Sequence, residues 1–544
     1  MGTGYAIAAG HEVTAAAAAE VLAAGGTAVD AVIAGAHVAM VAEPVLAGLL
    51  GGGFLMVREP DGRLGCLDMF VDTPARRRPD AEIDLQEAIA DFGTTTQRFR
   101  VGAGAIAVPG LTAGFAEAHA RGGRIPMAEL LAPAIRMARE GVAITAFQAR
   151  LSQIVAPILT HSLALRALTC DGDGLPLGEG AVYRNPDFAD VLEVLAHEGS
   201  AFVQQGEIAA GLAALSRDGG HLDRADLARW QPRDRRPLRI RRGRAHIALN
   251  PLPAVGGVLT ALPLGLLPQT RRLPDTVALA RAFAATALAR LVSGLDGDGD
   301  AGAAMLADPD IRDALAPEAR GAADWWAEMR AALTEATDAG VAPRGTTHLS
   351  AIDAMGGAAA LTLSNGEGCG LVIPGTGIQP NNMLGEDDLV PPAPDGGPGF
   401  WLPGRRLASM MTPAILSVDD GHLVALGSGG SNRIRTAMAQ VLLRVIDATP
   451  AGRLPDLEAA ITAPRLHVEV DDPAEPPTLF YEREGLPEDE EMRLVADWPR
   501  GDSAPTAFDA PSMFFGGVHA VAGQPGRSAA AFGDPRRAGV GIVG

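Results

Sequence analysis

The chain is predicted to be a mixed α/β protein built of packed layers, and three observations point that way. Helical patterns and one strand pair come first, a mostly helical middle follows, and from about residue 344 strands and glycine-rich loops take over before helices return. This order is block-like and lacks the regular βαβ alternation of a doubly wound parallel sheet. Aromatic residues make up 4% of the chain and hydrophobic residues 47%, so the core must be built from Ala, Val, Leu and Ile.

Along the chain, "VTAAAAAEVLAA" has high helix propensity and stops at Gly25-Gly26. Thr27 caps the next helix, "AVDAVIAGAHVAMVA", which is apolar almost all round and therefore belongs in the middle of a core. "GGGFLMVREPDGRLGCLDMFV" reads as a strand, a turn at Pro60-Asp61-Gly62 and a second strand. Met127, Leu130, Leu131, Ala134, Ile135 and Ala138 fall on one face of an amphipathic helix that Gly141 ends. Residues 145–340 read as mostly helical, separated by short turns.

After Arg344, "THLSAID" alternates, with His348, Ser350 and Ile352 on one face and Leu349, Ala351 and Asp353 on the other. "AMGG" is a turn, and "AAALTLSN" returns as the partner strand. A hairpin centred near Met355 pairs positions whose numbers sum to about 710, which sets Thr346 across from Ser364. Residues 384–406, rich in Pro and Gly, form a connection too long to be routine, either a lid or a surface loop. Ile434, Ala437, Met438, Val441, Leu442 and Val445 mark a second clear helix. The acidic stretch from Glu469 to Glu491 reads as solvated surface.

Composition excludes several functions. The net charge is 45 − 65 = −20, which repels nucleic acid and anionic membranes. The chain has no lysine, so Schiff-base, P-loop and pyridoxal phosphate chemistry are ruled out. The three cysteines, Cys66, Cys170 and Cys369, are far apart and form neither a disulfide framework nor a CxxC pattern; Cys369 reads as a packing residue. The 11 histidines include no HExxH, so no zinc site is expected. "DGDGDAG" at Asp296 starts like a calcium loop but has Ala301 and Ala307 where Gly and Glu are needed. "GLLGGGF" runs into a strand, whereas a dinucleotide loop opens a helix. The first residues lack a basic region followed by a long apolar run, so a cytoplasmic location is expected, with a periplasmic one left open should the start lie upstream.

The stretch that concentrates reactive side chains is "PRGTTHLSAID". A threonine hydroxyl is a poor nucleophile unless a base takes its proton, and its own α-amino group can do so once the preceding bond is cut. Gly345 before Thr346 leaves room for the backbone distortion such a cut needs. Taken alone, a Gly-Thr-Thr turn is more often only a turn. "LVALGSGGSNRIRTAMAQ" reads as a strand ending at Leu426, a glycine-rich loop and a helix beginning near Asn432, whose first N–H groups are ready donors to an oxyanion.

Many blocks in this order resemble the γ-glutamyltranspeptidase family, over nearly the whole chain: "AAAAAEVLAAGGTAVDAVIAGAHVAMVAEPVLAGLLGGGFLMV", "VPGLTAGFAEAHARGG", "LLAPAIRMAREG", "GTTHLSAIDAMGGAAALTLS", "GLVIPGTGIQPNN", "ASMMTPAI", "GSGGSNRI" and "ITAPRLH". The resemblance implies an N-terminal-nucleophile hydrolase with a four-layer αββα sandwich and a helical subdomain in its first segment. It implies cleavage between Gly345 and Thr346, dividing one αββα domain into segments 1–345 and 346–544. Thr346 is then the nucleophile, Ser364 its hydroxyl partner, and Gly429, Gly430 and Ser431 hold the oxyanion donors, with "GSGGSN" one position off the family pattern. Asn365, Glu386 and Ser409 fall at substrate-binding positions, with Glu386 in place of an Asp and Ala408 in place of a first serine. The Arg that grips the substrate α-carboxylate is missing, because "LDMFVDTP" places Met69 and Phe70 there; Arg76, Arg77 and Arg78 lie nearby in sequence. The implied activity is amidohydrolase and acyltransferase on γ-glutamyl or related acyl amides such as glutathione, with water or an amine as acceptor and no metal or organic cofactor. A non-catalytic or differently specific homologue with an altered acyl pocket is the alternative.

Overall fold

Two antiparallel sheets lie face to face at the centre of the computed structural model, which describes residues 4–91, 96–269, 273–293, 295, 345–387, 389–390, 397, 399–447, 449–450, 452–470, 472, 475–499, 504–524 and 528–544. Their strands are β1 (Ala6–Ala9), β2 (Gly52–Arg58), β3 (Leu64–Met69), β4 (Arg233–Arg235), β5 (Leu238–Arg242), β6 (Ala245–Leu249), β7 (Thr347–Ile352), β8 (Ala358–Ser364), β9 (Ala414–Val418), β10 (Leu423–Gly429), β11 (Gly517–Gly523), β12 (Ala529–Phe532) and β13 (Val540–Val543). The first sheet runs β13-β1-β7-β8-β2-β3-β4, and the second runs β12-β11-β10-β9-β6-β5.

Strand alternation explains the layering. Ile7, Ala9, Leu349, Ala351, Leu361 and Leu363 point out of the first sheet into a cluster with α1 (Glu12–Ala23), α2 (Ala28–Ala42), α3 (Leu111–Gly122), α4 (Met127–Glu140) and α5 (Pro186–Glu198). Their neighbours Ala6, Ala8, Ile352, Ala358 and Ala360 point the other way and meet Ala425, Ile415 and Val521 of the second sheet. These side chains are mostly alanine, so the sheets pack through a thin apolar layer. The outer face of the second sheet is covered by α6 (Val255–Leu266) and α8 (Ile434–Asp447), and α7 (Thr276–Ser293) packs against α6 in the same apolar cluster. The result is helix, sheet, sheet, helix, the four-layer sandwich that the resemblance implied.

Helix α2 is buried along its whole length, as its all-round apolar sequence requires. A capping box starts it: Thr27 Oγ1 accepts from the Asp30 N–H at 3.1 Å, and Asp30 Oδ2 accepts from the Thr27 N–H at 2.9 Å. The β7–β8 hairpin has the predicted register, with Thr347 opposite Leu363 and Ile352 opposite Ala358.

Three expectations need correction. The middle is not uniformly helical: β4, β5 and β6 fall within 233–249, where arginines alternate with Leu238 and Ile240 on the half-exposed edge strand β5, and β6 is a short, mostly buried strand beside it. The chain ends on strands rather than helices, because β11, β12 and β13 are built largely from Gly, Ala and Val, whose pattern is weak in isolation. Strand β10 continues through Gly429, three residues beyond Leu426. The calcium-like stretch at Asp296 and part of the 384–406 connection lie outside the described residues.

Candidate active site

Thr346 stands one residue before β7, and Ser364 is the last residue of β8, so the hairpin register sets them opposite each other. Both share the face of His348, Ser350 and Thr362, which looks across to the second sheet. That face is polar: His348 Nδ1 lies 2.8 Å from Thr362 Oγ1, His348 Nε2 lies 2.7 Å from Ser350 Oγ, and Ser350 donates to the His519 carbonyl of β11 at 3.3 Å. Burial holds His348 well below the ordinary imidazole pKa, so the ring is neutral.

The peptide bond before Thr346 is held from both ends. Ser364 Oγ donates to the Gly345 carbonyl oxygen at 2.5 Å, while Ser364 Oγ itself accepts from the Gly366 N–H at 2.9 Å. The Gly345 N–H donates to the carboxylate of Glu367. A hydroxyl 2.5 Å from a carbonyl oxygen is positioned to stabilise negative charge that develops there.

The second sheet supplies the other wall. At Gly429, the end of β10, a Cβ would sit 2.2 Å from the Thr346 carbonyl oxygen, so glycine alone permits this approach. Gly430 has φ 126°, a region open to glycine, and turns the chain into the short 3-10 turn Ser431–Arg433 ahead of α8. Arg537 extends its Nη1 to the Thr346 carbonyl at a long 3.5 Å. Burial, and then repulsion from Arg433, pushes the Arg537 guanidinium down to about 10.

The expected substrate-binding residues separate. Glu386 is buried, and its Oε1 lies only 2.6 Å from where a Cβ of Gly366 would be, which places it at the turn leaving Ser364. Asn365 points to the opposite face of the sheet from Ser364: its Nδ2 donates to the Gln379 carbonyl at 3.2 Å, and its carboxamide packs on Gly48. Ser409 Oγ accepts from the Met411 N–H at 3.2 Å in a local turn. Phe70 is fully buried, stacked 5.4 Å from Phe54 and clustered with Met383, Leu384, Trp401 and Met411. The nearby arginines do not replace a cation there. Arg77 binds Asp80 and the Gly399 carbonyl, Arg78 binds the Gly220 and Arg217 carbonyls, and Arg76 is exposed. Arg406, close by in space, is locked onto Asp68 and Asp72 at 2.5 Å each.

Sequence reasoning did not single out Glu43, Glu367 or Arg537. Glu43 is an acid placed directly after the apolar run of α2, and that abrupt break was the available signal. Its Oε2 accepts from Thr347 Oγ1 at 2.8 Å and its Oε1 from Thr14 Oγ1 at 3.2 Å. Burial pushes its carboxyl up to about 7, against the lowering effect of those two hydroxyls. Cys369 is buried with its thiol pushed up to about 12, as a packing residue should be. Among the described residues no group of His, Cys, Asp and Glu is arranged to hold a metal ion, and no helix is long and apolar enough to cross a membrane.

The family model described as gamma-glutamyltranspeptidase matches residues 14–544. The chain belongs to the gamma-glutamyltranspeptidase family. It is thus an enzyme of the autoprocessed amidohydrolase and acyltransferase kind. Among curated family members, it is 31% identical over 529 residues to an "Acylase ACY 1 proenzyme" of Pseudomonas sp. (strain V22), covering 95% of this chain and 89% of that protein. It is 32% identical over 485 residues to a "Glutathione hydrolase proenzyme" of Pseudomonas aeruginosa, covering 85% of this chain and 83% of the relative. The cephalosporin acylase of Bacillus halodurans shares the fold, with a TM-score of 0.78 at 24% identity over 99% of this chain and 95% of that one.

Proposed function

We propose that Thr346 is the nucleophile of a self-cleaving acyltransferase and hydrolase, and that the chain is cut between Gly345 and Thr346 into segments 1–345 and 346–544 of one αββα domain. The observation that carries this reading is the 2.5 Å hydrogen bond from Ser364 Oγ to the Gly345 carbonyl. Attack of Thr346 Oγ on the Gly345 carbonyl carbon forms a C–O bond and puts negative charge on the oxygen that Ser364 holds. Breakage of the C–N bond, with the hydroxyl proton passing to the departing nitrogen, leaves Gly345 as an ester on Thr346. Water then cleaves that ester, releasing the Gly345 carboxylate and restoring the Thr346 hydroxyl beside the α-amine freed by the C–N cleavage, the base that the hydroxyl had lacked.

Catalysis repeats the same chemistry on an external amide. Thr346 Oγ takes the acyl group, the amine leaves, and water or an acceptor amine releases the acyl group from the ester. Gly429 and Gly430 are proposed as the oxyanion donors of this second cycle, and Glu386, Asn365 and Ser409 as substrate contacts. Of these three, Glu386 has the strongest support, since it borders the Ser364–Gly366 turn. Hydrolysis or transfer of γ-glutamyl or related acyl amides is the proposed activity. The apolar packing of Phe70 favours the acylase side of the family over a plain copy of glutathione hydrolysis, because the position of the family's carboxylate-binding arginine holds a stacked ring.

Intact mass of the purified protein tests this reading. Wild type should give two chains of 345 and 544 − 345 = 199 residues, and Thr346→Ala a single chain of 544. A wild type that stays one chain, indistinguishable from Thr346→Ala, overturns it.

A further inference from the structure

Arg537 is a buried guanidinium with no carboxylate hydrogen-bonded to it among the described residues. Two neighbouring arginines engage acids directly: Arg465 Nη2 lies 2.6 Å from Asp534, and Arg536 lies 2.7 Å from Glu482 and 3.3 Å from Asp534, while Asp534 and Glu367 act on Arg537 through space. Arg537 retains only the long contact to the Thr346 carbonyl, and its Nε has no partner among the described residues. A buried cation without a directly bonded carboxylate is costly, and one that faces a cavity is a candidate site for an anion.

Such a cavity is present. It measures about 170 Å³ and is lined by Gly345, Glu367, Arg433 and Arg537, with Leu46 and Phe514 among its apolar walls. Arg433 is held in place there: its Nε donates to the Phe514 carbonyl at 3.0 Å, and its guanidinium lies 4.8 Å over the Phe514 ring. The cavity borders Gly345, whose carbonyl marks the reacting centre. Around Phe70 the nearby cation Arg406 is committed to Asp68 and Asp72.

We propose that Arg433 and Arg537 form a carboxylate-binding subsite beside the reacting centre, so that the substrate carries a free carboxylate gripped on this side rather than at the Phe70 position. The inference rests on the reading of Gly345–Thr346 as the reacting bond. The carboxylate belongs either to the acyl group or to the amine that accepts it; the chemistry is the same and the apolar walls take the methylene groups beside it. Two guanidiniums suit a carboxylate because each offers paired N–H donors, and each charge-assisted contact strengthens binding by about 10-fold or more.

Calorimetric titration tests the subsite without requiring turnover. Glutarate and its diamide, and glycylglycine and its amide, are titrated into wild type and into Thr346→Ala, whose binding does not depend on the nucleophile. At least one carboxylate is expected to bind ~10-fold or more tightly than its amide partner, and Arg537→Gln to abolish that difference. Discrimination within the glutarate pair places the carboxylate on the acyl group, and discrimination within the glycylglycine pair places it on the acceptor. If Arg537→Gln does not fold, Arg433→Gln is expected to reduce the same difference. The proposal is overturned if neither pair is discriminated, or if discrimination survives in the arginine variants that fold. Cleavage is read separately by intact mass, so a failed subsite and a failed nucleophile give different results.

Discussion

The end of the sheet at Thr346 and the apolar cluster at Phe70 have only β8 and β2 between them and are opposite in character. Gly52 joins them: it pairs with Ser364 in the β2–β8 ladder, and a Cβ on it would sit 2.9 Å from the Phe70 ring. On the Thr346 side hydroxyls, backbone amides and Glu367 surround one peptide bond. On the Phe70 side Phe54, Met383, Trp401 and Met411 close over a ring. If the proposed function holds, bond breaking and acyl recognition are carried by different side chains on the same sheet, so one can change while the other is kept.

The comparison breaks or sharpens under substitutions at four positions. Gly429→Ala should have the largest effect, since its methyl would lie 2.2 Å from the Thr346 carbonyl oxygen; cleavage and turnover should fall by ~10³-fold or more, followed by intact mass over time. Ser364→Ala removes the donor to the Gly345 carbonyl and should slow cleavage by ~10²–10³-fold, with Ser364→Thr much closer to wild type. Phe70→Arg restores the family's charge to a site that has no room for it. It should cost about 3–5 kcal/mol in urea unfolding while the molecules that fold are still cut, and loss of cleavage at unchanged stability would break the comparison.

The smallest effect is a pH dependence. The Glu43 carboxyl is raised in the fold from its ordinary 4.5 to about 7, so the folded state binds its proton more tightly than the unfolded chain does. The stability this contributes is fully present below pH 4.5 and is lost as pH rises through about 7, a change of up to about 3 kcal/mol. Glu43→Gln should flatten that slope, measured as urea midpoints at about pH 5 and about pH 8.

The pairing of Thr346 with Ser364 was legible because the alternation in "THLSAID" and the "AMGG" turn are local signals that fix a register. The Thr27 cap and buried helix α2 were legible for the same reason. Strand β5 was hidden by arginines that alternate with Leu238 and Ile240 on an exposed edge, β6 by its length of only 5 residues, and β11 to β13 by their small residues. Glu367 and Arg537 carried no local signal, and the break at Glu43 did not name its partner. Glu43 meets Thr347 across 304 positions, and Arg537 meets Thr346 across 191, so their roles exist only once both sheets are assembled. Asn365, one residue beyond Ser364, turns to the other face of the sheet and packs on Gly48, a placement that the resemblance alone did not give.

The two sheets also set the fate of a cut molecule. Strands β1 to β6 precede the Gly345–Thr346 bond and β7 to β13 come after it, yet β1 lies between β13 and β7, and β6 pairs with β9. The products of the proposed cut would be woven together edge to edge and would migrate as one particle until denatured. Neither piece holds a complete sheet, so heating should become a one-way journey after the cut, whereas the intact precursor keeps its return path.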